Sequence, residues 1–304
     1  MAGRHDEAGR ARLYVVATPI GNLGDITQRA LATLRAVHVV FAEDTRHTRG
    51  LLTHHGIAAK LAPLHEHNER EAARELLRYL EAGRDVALVT DAGTPAISDP
   101  GAHAVAAARA AGFEAVPIPG ANAAIAGLSV AALPGPFAFI GFLPPRPVAR
   151  RKALEAWREF PHTLVLYEAP HRILECVEDL TRVLGPDRAV VLARELTKAF
   201  ETVQACTLGE ARGWLEADPD RTRGEFVVIV AGAGASSRSE TAETERVLRL
   251  LLEELPVKTA VRLAGAITGG SRNELYAQAL AFKKGVPQDT KPRQGRKGRK
   301  GREG

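Results

Sequence analysis

The apolar positions fall first into short, nearly continuous runs. Residues 13–17, 37–42, 85–89 and 113–118 read as strands buried on both faces, and the stretches between them carry helical spacing. Strand alternating with helix predicts a parallel sheet covered by helices on both sides. From Phe137 onward the pattern changes. Residues 137–142, 162–167, 189–193, 201–207 and 225–230 read as strands, yet only one plain crossover helix, running to Leu184, lies among them. This half predicts a mixed or largely antiparallel sheet with helices. Residues 241–285 are helical: an amphipathic stretch over 243–255, a second helix opened by Pro256, a turn at Gly269-Gly270, and a third helix opened by the capping pattern Ser271-x-x-Glu274. The expected divisions are an N-terminal α/β domain over 11–120, a second α/β domain over 121–235, a helix-turn-helix-like module over 241–285 and a tail over 286–304.

Polar and small residues gather where the strands end. Thr18-Pro19-Ile20-Gly21-Asn22-Leu23-Gly24-Asp25 follows the first strand and Glu43-Asp44-Thr45-Arg46-His47 the second. Residues 91–101, DAGTPAISDPG, follow the third, and Pro119-Gly120-Ala121-Asn122-Ala123-Ala124 the fourth. Right-handed crossovers between parallel strands bring such loops to one edge of the sheet, where α/β proteins hold ligands. Several of these residues also have plain structural duties. Asp99 before Pro100 reads as a helix N-cap, Asp44 or Thr45 as another, and Gly93-Thr94-Pro95 as a turn. Asp91 has no such duty and reads as a ligand group. Neither G-x-G-x-x-G nor G-x-x-x-x-G-K-[ST] occurs, and Pro19 removes an N–H that a phosphate cradle would use. His65-Glu66-His67 lacks a third ligand nearby, so no metal site is expected. Ala231-Gly232-Ala233-Gly234 follows a strand but leads into serines 236, 237 and 239, which reads as a linker.

Charge adds one feature to this picture. Nine basic and two acidic residues lie between Lys283 and Gly304, more than accounting for the net charge of +5. The composition there predicts a disordered tail suited to phosphate contact. Cys176 and Cys206 form no C-x-x-C pair, and the first ten residues lack an apolar core of a signal peptide, so a reducing, cytoplasmic setting is expected. Residues 115–145 contain no charged side chain, but Pro117, Pro119, Pro134, Pro136 and Pro144 break them, so no membrane span is expected.

Taken together, TPIGNLGDIT (18–27), AEDTRHT (42–48), DAGTPAISDPG (91–101), PGANAA (119–124), GFLP (141–144), YEAPHR (167–172) and ARELTK (193–198) resemble the small-subunit ribosomal RNA methyltransferase I family. That family lies in the tetrapyrrole-methylase superfamily of S-adenosylmethionine-dependent methyltransferases. The resemblance spans 13–282, and one departure is visible: the family usually has Pro then Ser or Cys where this chain has Ala121-Asn122. The resemblance implies a two-domain tetrapyrrole-methylase-like (class III) α/β fold with a C-terminal helical module, and a homodimer. It also implies methylation of a cytidine ribose 2′-hydroxyl near the decoding centre of small-subunit ribosomal RNA, either naked or in the assembled subunit. The positions matching the S-adenosylmethionine site are Pro19, Asp91, Gly93, Thr94, Asn122, Ala123, Tyr167 and Ala231.

Methyl transfer from a sulfonium to a ribose hydroxyl needs in-line alignment, and a base or cation where the hydroxyl loses its proton. Among the rim residues Glu43, Arg46, His171, Arg172 and Lys198 are the candidates carried forward for catalysis, with Asp44, His47, Glu168 and Glu195 as further bases and Arg194 as a further cation. The same residues could equally serve as structural ion pairs. Two other functions fit the scaffold: a small-molecule tetrapyrrole methylase, and a non-catalytic ribosome assembly factor. The basic tail and helical module disfavour the first, and the polar strand-end loops disfavour the second.

Overall fold

The computed structural model describes residues 11–233, 237–269 and 271–284. By its contacts the chain divides into two compact units, 1–233 and 234–304. The basic tail predicted to be disordered lies outside the described residues.

The first unit opens with β1 (Arg12–Val16), α1 (Gln28–Ala36), β2 (Val39–Ala42), α2 (Thr45–His54), β3 (Leu61–Pro63), α3 (Glu69–Glu81), β4 (Val86–Val89), α4 (Ala102–Ala110) and β5 (Glu114–Ile118). The strands form one sheet in the order β3-β2-β4-β1-β5, and every pairing is parallel. Both faces are covered, as the unbroken apolar runs require. Leu13, Phe41, Val86 and Leu88 pack with α3 and α4, while Val40, Ala42, Ala87 and Val89 pack with α1 and α2. The short β3 has no signal in the sequence pattern: three residues are too few to establish a period.

A second sheet follows, built from α5 (Ala123–Val130), β6 (Phe137–Phe142), α6 (Pro147–Glu155), β7 (Thr163–Glu168), α7 (Ile173–Leu184), β8 (Ala189–Arg194), β9 (Thr202–Thr207), α8 (Leu208–Glu216) and β10 (Phe226–Val230). Its order is β6-β7-β10-β8-β9; β6 and β7 are parallel and the other pairs antiparallel. The expected mixed sheet is therefore present. Side chains alternate between a face covered by α7 and α8 and a face that carries α5 with Val165, Val191, Val227 and Ile229. Gly127 lets α5 lie close on that sheet, because a Cβ there would come within 3.2 Å of Ile229 and 3.3 Å of Val227.

Two guanidinium groups fix the connection after β6. Arg150, almost fully buried, bonds Asp179 at 2.7 Å, Glu175 at 3.3 Å and the Pro145 carbonyl at 3.4 Å. Arg172 donates to the Leu143 carbonyl at 2.7 Å and pairs with Glu168 at 3.2 Å. The basic run around residue 150 is thus partly an internal ion-pair network.

The second unit consists of α9 (Ser237–Glu254), α10 (Val257–Thr268) and α11 (Arg272–Lys284). Leu248, Val261, Ala264, Leu275 and Ala279 form its core, and Gly269 ends α10 in the left-handed conformation at φ 73°. The helix begins at Ser237, so the serine stretch taken as linker is helical from that residue on. Serine is among the residues favoured at a helix N-terminus, so such a stretch suits a helix start as well as a linker. Among the described residues no helix is long and apolar enough to cross a membrane.

Asp179→Ala leaves the buried Arg150 charge short of its closest partner and is expected to destabilise the first unit by about 3–5 kcal/mol. Glu175→Ala, on the exposed side, is expected to change stability by less than about 1 kcal/mol. Urea unfolding followed by fluorescence of Trp157 and Trp214 measures both.

Candidate active site

Three strand-end loops are tied to one another. Thr18 and Gly93 exchange backbone hydrogen bonds, N–H to carbonyl at 2.9 Å one way and 3.1 Å the other. The Thr18 hydroxyl donates to the Thr90 carbonyl at 3.0 Å, joining the loops after β1 and β4 a second time. Thr94 donates its hydroxyl to the Ala121 carbonyl at 3.2 Å, which brings in the loop after β5. Gly93 adopts φ 87°, where other residues are strained. A Cβ there would fill the space beside Ile20, at 3.5 Å, and the Ala121 carbonyl, at 3.7 Å.

Carboxylates line the strand ends. Glu43 accepts the Thr90 hydroxyl at 2.6 Å and the Asp91 N–H at 3.4 Å, and Asp91 in turn accepts the Asp44 N–H at 3.0 Å. Asp44 caps α2 through the Arg46 N–H at 2.7 Å, as one of the two residues expected to do so. Burial raises the Asp91 and Asp99 carboxyls above the usual carboxylate value, and the nearby Glu43 charge raises both further. Asp99 does not cap α4. The cap position is Gly101, and Glu69 from α3 accepts the Gly101 and His103 N–H groups at 2.7 and 3.0 Å. A side chain from another helix performs the capping, which leaves Asp99 turned to a cavity.

That cavity, of about 300 Å³, lies between the tied loops and the second sheet. The first half contributes Ile20, Gly93, Thr94, Ile97 and Asp99; Asn122 and Ala123 stand at the start of α5; Phe142, Tyr167, Leu196, Phe226 and Val227 come from the second half. The Tyr167 hydroxyl accepts the Ala124 N–H at 3.1 Å, fastening β7 to the start of α5. Asn122 caps α5 by accepting the Ile125 N–H at 3.1 Å. Asn is as good an N-cap as Ser, so the departure at 121–122 keeps the helix start intact.

A second, more polar cleft of about 590 Å³ adjoins the first and is lined by Pro19, Gly21, Arg46, His47, Asp91 and Lys198, among others. Lys198 lines both spaces. Its ammonium meets Glu195 at 2.8 Å and Glu225 at 2.9 Å, and its aliphatic stem crosses Gly21, where any Cβ would collide with it. Burial works against the charge, yet the two carboxylates prevail and raise the Lys198 ammonium above its usual value. The turn that carries it is strained: Glu195 and Thr197 adopt φ 51° and 66°. Glu195 is held by the Glu225 N–H at 2.9 Å, and burial of its carboxyl is overcome by the bond from Lys198.

Of the positions named from sequence, Gly93, Thr94, Asn122, Ala123 and Tyr167 line the first cavity, Pro19, Asp91 and Arg46 the second cleft, and Lys198 both. Glu43 stands behind Asp91 and accepts its backbone N–H. Three positions are not brought together with these. His171 is exposed in the 3-10 turn Pro170–Arg172, and Arg172 faces the Leu143 carbonyl. Ala231 lies at the far end of its strand, donating its N–H to Ala189. Because β10 runs antiparallel to β7, it is Phe226 and Val227 that reach the cavity. Strand direction is invisible in a run of valines, so sequence reasoning missed them. Phe142 lies in GFLP, where local pattern marks no role for it, and Glu225 stands directly before an apolar run that draws it into the strand.

Residues 12–212 match the family model described as Tetrapyrrole (Corrin/Porphyrin) Methylases, and 238–283 match the RsmI C-terminal HTH domain. The ribosomal RNA small subunit methyltransferase I of Pseudomonas aeruginosa is 54% identical over 88% of this chain and 96% of its own length. That of Escherichia coli O157:H7 is 51% identical, over 89% and 95%. Among solved structures, uroporphyrin-III-C-methyltransferase from Thermus thermophilus superposes with a TM-score of 0.53 at 22% identity, over 76% of this chain and 98% of that one. The same enzyme complexed with S-adenosyl homocysteine gives 0.52 at 21% identity, over 73% and 97%. These structures share the fold.

Gly224 sits at φ 84° with the Glu195 side chain against it. Gly224→Ala is expected to lower stability by more than about 1 kcal/mol in urea unfolding, because both the backbone and the Glu195 contact resist a Cβ. A second expectation concerns pH. A carboxyl raised on folding favours the folded state fully below its unfolded value of about 3.9, and that contribution is lost as pH rises through the higher folded value. Asp99→Asn removes the charge, so its thermal midpoint should match the parent near about pH 3 and exceed it at neutral pH.

Proposed function

The chain belongs to the small-subunit ribosomal RNA methyltransferase I family, and from that membership we propose that it methylates the ribose 2′-hydroxyl of a cytidine near the decoding centre, acting as a homodimer on the small subunit. It is an S-adenosylmethionine-dependent methyltransferase of ribosomal RNA. The finer reading is supported by one observation above others: an apolar, tied-loop cavity joins a polar cleft at a lysine held in its charged form.

The cavity suits the methyl source. Its walls offer Ile20, Ile97 and Val227 to apolar parts, its small-residue loops present backbone groups, and the space that a Cβ at Gly93 would fill remains open. Thr94, Asn122, Ala123 and Tyr167 would hold S-adenosylmethionine there, with Asp99 available to a cationic group. Bound in this way, S-adenosylmethionine supplies an electrophilic methyl on a sulfonium.

The chain's own residues then align and neutralise. Arg46, paired with Asp44 at 3.2 Å and 88% exposed along its side chain, offers a phosphate contact at the second cleft. Asp91, fixed by the Asp44 N–H and backed by Glu43, directs its carboxylate into the same cleft. Lys198 cannot act as a base while Glu195 and Glu225 hold its proton. It serves instead as a fixed positive charge beside the oxygen that loses a proton, where such charges act most strongly. His47 lines the same cleft and is exposed, within reach of solvent to carry that proton away.

The tetrapyrrole-methylase alternative rests on the superfamily match over 12–212 and on solved enzymes such as those of 16–22% identity, whereas the relatives at 51–54% identity are ribosomal RNA methyltransferases. Methyl incorporation from labelled S-adenosylmethionine into undermodified small subunits, deproteinised RNA and a tetrapyrrole precursor tests the proposal. Label recovered as 2′-O-methylcytidine from the subunits is the expected result; label elsewhere in the RNA, or only in the precursor, overturns it. Lys198→Met should lower kcat about a hundredfold, by more than it weakens S-adenosylhomocysteine binding. An unchanged kcat removes Lys198 from the mechanism.

A further inference from the structure

A β-bulge decides which way Phe142 faces. Along β6 the pairing with β7 runs Phe137 with Thr163, Ala138 with Leu164 and Phe139 with Val165, then slips to Gly141 with Leu166 and Phe142 with Tyr167. Ile140 is the extra residue, and Gly141 takes φ 71°, the left-handed conformation that glycine bulges use. A Cβ at Gly141 would meet nothing closer than 4.0 Å, so the glycine is required by its backbone angle, not by space. In an unbroken strand Phe142 would oppose Glu168, on the face packed by α7. The slip instead sets Phe139 and Phe142 on one face with Tyr167, with ring centroids 4.9 and 5.7 Å from it and both contacts edge-on.

The outcome is an apolar ring that folding does not bury. Phe142 is 55% exposed and Ile97, from the loop after β4, is 54% exposed, and both line the first cavity. Aromatic residues make up only 5% of the chain, yet three of them converge here. A special backbone angle that presents a phenyl ring to solvent at a cavity wall has no use in the core. An exposed ring with an aliphatic neighbour is what a planar heterocycle stacks against.

We propose that Phe142 is the stacking platform for a nucleobase in this site, with Ile97 as a second apolar contact. The inference rests on the function proposed above, in which both reactants carry a nucleobase: the adenine of S-adenosylmethionine and the base of the acceptor nucleotide. The chemistry is the same in either case, and two measurements on the full chain separate the sources. S-adenosylhomocysteine binding by calorimetry reads the first, and KM for undermodified small subunits at saturating S-adenosylmethionine reads the second.

Phe142→Ala should weaken one of these about tenfold. Phe142→Tyr should retain the parental value and Phe142→Leu should not. The affected measurement identifies which base stacks. If the alanine variant matches the parent in both, or leucine serves as well as tyrosine, the ring is not a platform. Phe142→Trp gives a reading independent of turnover: indole emission, corrected for Trp157 and Trp214, should be quenched by S-adenosylhomocysteine or by subunits, and no quenching by either overturns the proposal. A parent chain that methylates no RNA removes the proposed function, while the calorimetric comparison still decides for or against Phe142.

Discussion

The reciprocal pair of backbone hydrogen bonds between Thr18 and Gly93 is the constraint from which the site follows. Parallel strands end at one edge of their sheet, but nothing in the sheet itself fixes the loops beyond that edge. Here the loop after β1 is bonded to the loop after β4, and the Thr94 hydroxyl fastens the loop after β5 to both. The ties run through backbone groups that would otherwise need water, so satisfying them and shaping the cavity are the same event. Gly93 belongs to this arrangement twice, by its left-handed backbone and by the space it leaves beside Ile20.

The second half contributes what the parallel sheet lacks: a lid of apolar side chains and a fixed cation. Lys198 reaches over Gly21 and is held by Glu195 and Glu225, so one side chain joins the two halves and borders both spaces. The strain at Glu195 and Thr197 is concentrated in that one turn. Opposite it stand carboxyls whose burial raises them, Asp91 and Asp99. Carboxyls that burial disfavours are the groups a cationic methyl source would pair with.

Much of this was legible in the sequence. Unbroken apolar runs followed by small and polar residues pointed to buried parallel strands with a ligand edge, and β1, β2, β4 and β5 lie where those runs fall. Thr94, Asn122, Ala123 and Tyr167, which come from three separate motifs, line one cavity. The failures have physical causes. Asp99 reads as a cap because local pattern favours it, but Glu69, thirty-odd residues earlier, performs that task. Ala231 follows a strand just as the other loops do, but antiparallel pairing puts it at the opposite end from the cavity.

The sequence by itself determined where most strands and helices form and that a parallel sheet would gather its loops on one edge, which are consequences of local periodicity and of residue types at short range. The family followed from the resemblance of its motifs. Only the tertiary structure decided the direction of β10, the side to which the bulge at Gly141 turns Phe142, and the pairing of Lys198 with Glu225. Each depends on partners distant along the chain, and a change of strand direction or a one-residue slip moves side chains to the other end or face without altering the apolar pattern.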